Sequence, residues 1–101
     1  MKTDIFNQYV DKVTSRFNLS KEELFSKTKK RECVDARHML YYLCYTRPMR
    51  IKYIQDYMTK NGYEINHSAI IYGISSASDR MLEDRDYKTV VKSIEECVSI
   101  D

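Results

Sequence analysis

The chain has 101 residues, of which 43% are hydrophobic, two are glycine and one is proline. This length fits one domain over residues 1–101, and the composition favours an all-α fold with a modest core. No apolar run approaches the roughly 18–20 residues that a membrane span needs, and the N-terminus lacks the apolar segment of a signal peptide. We therefore expect a cytoplasmic protein with no membrane partner.

Charge is distributed unevenly along the chain, although the net charge is only +2. Residues 27–52 hold eight basic and two acidic residues, a net charge of +6. Residues 79–101 hold four basic and seven acidic residues, a net charge of −3. This asymmetry is typical of a protein that orients on a polyanion. On charge alone, a solvated charged surface explains it equally well.

Apolar residues at three- and four-residue spacings predict a compact bundle of about six helices. The expected ranges are about 4–17, 21–26, 32–46, 50–60, 67–83 and 86–98. Ser20 and Glu23 form a capping box before the second helix. Pro48 is expected to stop the third helix, and Gly62 to close the fourth in a left-handed conformation. Asn66 is the expected N-cap of the fifth helix.

The last two helices each carry a predicted buried stripe. The fifth is expected to bury Ile70, Ile71, Ile74, Ala77 and Met81, and the sixth Tyr87, Val90, Val91, Ile94 and Cys97. The three cysteines match no metal site or disulfide framework, so we interpret them as reduced apolar residues.

The fourth and fifth helices, over about 50–83, have the dimensions of a helix-turn-helix. The expected exposed front of the fifth helix consists of Asn66, His67, Ser68, Ala69, Tyr72 and Gly73. Short side chains let a helix lie deep in a major groove, whereas a purely structural helix more often shows Glu and Lys. The basic stretch before the third helix reads as an exposed loop, with charge suited to phosphates or a minor groove.

Three stretches carry a resemblance to a known family. They are LFSKTKKR at 24–31, ARHM at 36–39 and YEINHSAI at 63–70. In order and spacing, the chain resembles the C-terminal, DNA-binding domain of the bacterial replication initiator DnaA, a Trp-repressor-like helix-turn-helix. The resemblance spans roughly residues 5–98.

This resemblance implies sequence-specific binding to double-stranded DNA. Arg31 matches the arginine that enters the minor groove, residues 66–69 match those that face bases, and Lys27, Lys29 and Arg37 lie where backbone contacts are expected. The full expected DNA-binding set is Lys27, Lys29, Lys30, Arg31, Arg37, Arg50, Asn66, His67, Ser68, Ala69 and Tyr72.

The chain departs from the family pattern at three positions of this region. Asn66 replaces an aspartate, Ala69 replaces a threonine and Ile65 stands where the family has arginine, so the preferred DNA site is expected to differ. The sequence holds no Walker-type phosphate loop. We therefore expect a stand-alone regulator of replication or transcription without ATPase activity, encoded by a phage or another mobile element.

Other functions are weaker interpretations of the sequence. His38 and His67 lack partners at ligand or triad spacing, so neither catalysis nor a metal or cofactor is expected. The alternative is a protein-interaction module that keeps this fold and binds a host replication or transcription protein. In either case we expect a monomer. Salt dependence would separate the two functions, because a DNA binder loses affinity steeply with salt.

Overall fold

The computed structural model describes residues 2–98, and this part of the chain contains helices and no strand. The helices are α1 Lys2–Phe17, α2 Lys21–Leu24, α3 Arg31–Thr46, α4 Ile51–Lys60, α5 His67–Glu83 and α6 Arg85–Cys97. The predicted all-α bundle of six helices is therefore confirmed. None of these helices is both long and apolar enough to cross a lipid bilayer.

Helix α3 is the centre of the bundle and contacts each of the other five described helices. It buries apolar side chains on several sides, among them Cys33, Ala36, Leu40, Leu43 and Cys44. A helix that is apolar around most of its circumference is stable only when it is covered on all sides. The core is therefore built around α3.

The predicted helix ends are explained by local hydrogen bonds to the backbone. Ser20 and Glu23 form the capping box of α2, with each backbone N–H bonded to the other's side chain. The α4 end is a Schellman motif: the N–H groups of Gly62 and Tyr63 donate to Thr59 and Met58. Gly62 has φ +88°, a conformation that a residue with a Cβ adopts only with strain. These bonds create the sharp turn, residues 61–66, between α4 and α5.

Helices α3 and α5 approach each other closely at Gly73. A Cβ built on this glycine would lie 2.8 Å from Cδ2 of Tyr41 and 2.9 Å from Cδ2 of His38. Gly73 is buried, so the expectation that it belongs to the exposed front of the helix is wrong. The glycine instead allows α5 to pack tightly on α3.

Two residues that were expected in the core are exposed. Ile71 is 52% exposed because the buried side of α5 is centred on Ile70, Gly73 and Ala77, and Ile71 lies beside it. Cys97 is exposed at the end of α6, where Val91 and Ile94 make the buried contacts. The predicted burial of both residues is therefore wrong.

Candidate nucleic-acid interface

The basic loop, residues 27–30, connects α2 to α3 and holds three exposed lysines. Its backbone makes two local bonds: the N–H of Lys30 donates to Oγ1 of Thr28 at 3.3 Å, and the carbonyl oxygen of Lys30 accepts from the N–H of Val34 at 3.0 Å. The side chains of Lys29 and Lys30 extend into solvent. The loop therefore presents positive charge without ion pairs to neutralise it among the described residues.

Arg37 anchors this loop and the residues just before it through hydrogen bonds. Its side chain is only 4% exposed. Nη1 donates to the carbonyl oxygens of Leu24 and Ser26 at 3.0 and 2.9 Å, and Nη2 donates to that of Thr28 at 2.7 Å. A buried guanidinium needs such acceptors, since burying it unpaired would be costly.

The expected contact between Arg37 and the DNA backbone therefore does not fit the structure, because the guanidinium is buried and makes three hydrogen bonds to carbonyl oxygens of residues 24, 26 and 28. The sequence does contain a signal for this role. Arg37 stands at helical spacing beside Cys33, Ala36, Leu40 and Cys44, all of which are buried. A charged residue on such a stripe is expected to be buried with hydrogen-bond partners.

Lys27 joins the basic loop to the turn before α5. Its Nζ donates to the carbonyl oxygen of Glu64 and lies 4.0 Å from the ring centroid of Tyr63. Lys27 and Asn66 line the same open cleft, together with Gln55 of α4. Lys27 of the loop and the start of α5 therefore lie on one continuous surface.

The turn has a second support that the sequence did not reveal. Nε2 of Gln55 donates to the carbonyl oxygen of Ile65 at 2.8 Å. This bond ties the turn to α4 just before the N-cap of α5. An isolated glutamine on an amphipathic helix carries no signal for such a long-range partner.

The first turn of α5 shows the side chains expected there. Asn66, His67, Ser68 and Ala69 are exposed, and Tyr72 is 69% exposed. This turn contains no acidic residue. The free backbone N–H groups of a helix N-terminus attract anions such as phosphate. A carboxylate in this turn would repel a phosphate, and the turn holds none.

Arg31 and Arg50 lie at the starts of two other helices. Arg31 is the first residue of α3 and not a loop residue as expected; its side chain is 87% exposed, with Nε 3.6 Å from Oδ2 of Asp35. Arg50 is exposed at the N-cap of α4, the end of that helix remote from the turn. The ten residues of α4 place Arg50 about 15 Å along the helix axis from the turn. The structure thus brings Lys27 beside the turn that leads into residues 66–69, whereas Arg50 lies at the far end of α4.

Comparison with protein families assigns this arrangement. The family described as the bacterial dnaA protein helix-turn-helix matches residues 7–76. The chain belongs to this family. The matched segment contains the basic loop, α3, α4 and the first ten residues of α5, so both parts of the interface of this dnaA-type helix-turn-helix lie within it.

Behind the interface of this dnaA-type domain, His38 packs between α3 and α5. Its ring lies 5.9 Å from the ring of Tyr72 in an edge-on arrangement and 6.4 Å from that of Tyr41. Burial lowers the pKa of His38 below its ordinary value, opposed by Asp35 and reinforced by Arg37 and Arg80. His38 therefore supports the exposed Tyr72 as a neutral ring. Across residues 2–98, no three His, Cys, Asp or Glu side chains group as metal ligands would.

Proposed function

We propose that this protein binds double-stranded DNA sequence-specifically, with α5 in the major groove and the basic loop on phosphates and the adjacent minor groove. The observation that carries this proposal is the contact of Lys27 with the turn before α5. This contact supports a single surface, on which the lysines of the basic loop adjoin the short polar side chains at the start of α5. Charge fixes position on the duplex, and hydrogen-bonding side chains read the bases.

In this proposal the interface residues divide by chemistry. Lys27, Lys29 and Lys30 contact phosphates, since a lysine ammonium acts as a point charge. Arg31 enters the minor groove, where its exposed guanidinium responds to groove width and potential. The residues proposed to face base edges are Asn66, His67, Ser68, Ala69 and Tyr72. Arg50 is an outlying phosphate contact, and Arg37 is excluded because it is buried.

Asn66 has two tasks in this scheme. Its Oδ1 accepts from the backbone N–H of Ala69 at 2.8 Å, which caps α5. An amide oxygen has a second lone pair, and the Nδ2 group retains two donors. Asn66 can therefore cap the helix and still pair with the N6 and N7 atoms of an adenine. The family's aspartate offers only acceptors, which suit the amino group of cytosine.

The biological role we propose is that of a monomeric, cytoplasmic regulator that occupies origin or promoter sites. The dnaA-family assignment supports a connection with replication. The sequence has only two glycines, Gly62 and Gly73, and neither lies in a Walker-type phosphate loop. Binding without ATP hydrolysis is therefore part of the proposal.

A salt titration tests the proposal. Affinity for a labelled random-sequence duplex should fall with rising salt with a slope of roughly −3 to −4 in log–log form, because four contacts each release about 0.9 counterion. The double variant Lys29→Ala/Lys30→Ala should lower that slope by about two, whereas the matched double variant Lys88→Ala/Lys92→Ala on α6 should leave it unchanged. Binding that is absent or insensitive to salt would refute DNA binding and favour the protein-interaction alternative.

A further inference from the structure

Tyr63 has an unusual position between the two proposed DNA-binding elements. It is the third residue of the turn, and its half-buried side chain packs against the core. The Nζ of Lys27 lies 4.0 Å and the Cζ of Arg37 4.9 Å from its ring centroid. Among the described aromatic rings with a cation over them, no other is shared by two cations.

Both cations are themselves part of the basic-loop assembly. Lys27 begins the loop, and Arg37 holds the carbonyl oxygens of residues before and within it. The backbone of Tyr63, in turn, is fixed by its N–H bond to Met58 at the end of α4. The ring thus contacts the loop, while its backbone belongs to the helix-turn-helix.

We infer that Tyr63 is a positioning residue, which sets the basic loop against the recognition helix so that both engage DNA as one unit. This inference rests on the proposed function. Cation–π contacts attract through the quadrupole of the ring and do not need the hydroxyl. A phenylalanine should therefore preserve the role, whereas an aliphatic side chain of similar size should abolish it.

Substituting Tyr63 should therefore reduce the sequence specificity of DNA binding without changing the charge of the protein. Tyr63 carries no charge, and its substitution leaves every lysine and arginine in place. A freely moving loop still attracts phosphates, but it cannot hold Lys27, Lys29 and Lys30 at fixed positions relative to residues 66–69. Losing simultaneous engagement costs affinity only where both elements must fit one sequence.

The test uses the full chain and three variants. Tyr63→Leu removes the aromatic ring, and Tyr63→Phe retains it. Tyr53→Leu is the matched control, because Tyr53 is a part-exposed tyrosine on α4 whose ring lies 5.2 Å from Nζ of Lys2, away from the loop. Each protein is assayed for binding to a duplex selected by the wild type and to a random duplex, and for amide hydrogen exchange.

We expect Tyr63→Leu to bind the selected duplex about tenfold more weakly, equivalent to about 1.4 kcal/mol, with random-duplex affinity and salt slope unchanged. The amide of Lys30, whose N–H donates to Oγ1 of Thr28, should exchange faster, while the amides of α1 and α6 stay as protected as in the wild type. Tyr63→Phe and Tyr53→Leu should match the wild type in both assays.

Several outcomes would overturn the inference. These are unchanged exchange in the loop, faster exchange throughout the protein, or a mobile loop with undiminished specificity. A wild type that prefers no duplex sequence would instead refute the proposed function. The exchange result would then still decide on its own whether Tyr63 positions the loop.

Discussion

Asn66 caps the recognition helix through a 2.8 Å bond from the backbone N–H of Ala69 to its Oδ1. The same side chain stands exposed at the front of α5, where a base would be read. One residue thus joins the stability of the helix to its proposed specificity, and substitutions can separate the two.

Asn66→Ala should lower the free energy of unfolding by about 0.5–2 kcal/mol, because the cap is lost. It should also flatten base preference at one position of the DNA site. Asn66→Asp keeps an acceptor for the cap, so its stability should stay close to that of the wild type while preference moves from adenine toward cytosine. Thermal melting and competition binding measure the two effects. If Asn66→Ala melts earlier yet selects the same base, Asn66 is only a cap.

Arg31→Ala should weaken specific binding more than Lys29→Ala. An arginine in a minor groove contributes a sequence-dependent term, worth roughly 1–3 kcal/mol, whereas a lysine on a phosphate weakens all sequences alike and lowers the salt slope by about one. Arg85→Ala removes an exposed charge from the start of α6 and should change neither specific binding nor the salt slope. Equal losses on specific and random duplexes for both Arg31→Ala and Lys29→Ala would contradict the assignment of Arg31.

Arg37→Met should destabilise the protein by roughly 2–4 kcal/mol, since three carbonyl oxygens of the loop assembly lose a charged donor. The exposed Arg50→Met should change stability by less than about 0.5 kcal/mol. Urea unfolding of both variants measures the difference. Comparable stabilities would show that the buried guanidinium does not organise the loop.

Gly73→Ala should destabilise the domain by about 1–2 kcal/mol. The added methyl group lies within 3.0 Å of both Tyr41 and His38, so the overpacking cost is expected in the upper part of its usual range, about 2–3 kcal/mol. The helix-propensity advantage of alanine over glycine, about 1 kcal/mol, offsets only part of this cost. Ser75→Ala, at an exposed position of the same helix, is the control and should be neutral or slightly stabilising. A Gly73→Ala variant as stable as wild type would mean that α3 and α5 can separate freely here.

Stability should fall as pH drops below about 6.5, the ordinary pKa of histidine, because His38 has a lowered pKa in the folded protein. The unfolded chain then binds the proton first, so stability rises with pH across this window and levels off above it. His38→Gln should flatten the profile. Urea midpoints at pH 7.5, 6.5 and 5.5 measure the effect, and an unaltered profile in His38→Gln would exclude this source.

The helices and their ends could be predicted because their causes are local in sequence. The capping box of Ser20 and Glu23, the left-handed Gly62 and the N-cap Asn66 each act within four residues. The spacing of apolar residues likewise follows from helical periodicity. These features survive in almost any tertiary context, so reading them from the sequence succeeds.

The remaining features depend on residues that are distant in sequence. Gly73 is buried because bulky Tyr41 lies opposite it on α3. Arg37 is buried because carbonyl oxygens nine to thirteen residues earlier, at the end of α2 and in the segment that follows it, accept from its guanidinium. Charge and small size both suggested exposure for these two residues. For Gly73 only the packing of α3 against α5 decides this, whereas for Arg37 the apolar residues at helical spacing around it were a signal of burial.

The most direct test of sequence-specific DNA binding is selection of bound sequences from a pool of random duplexes by the wild-type protein, at two salt concentrations. We predict enrichment of one short sequence that contains an adenine whose replacement costs about 1–3 kcal/mol. The enriched sequence should be the same at both salt concentrations, while background binding falls steeply at the higher one. A bound pool with the same composition as the input pool at both concentrations would contradict the account.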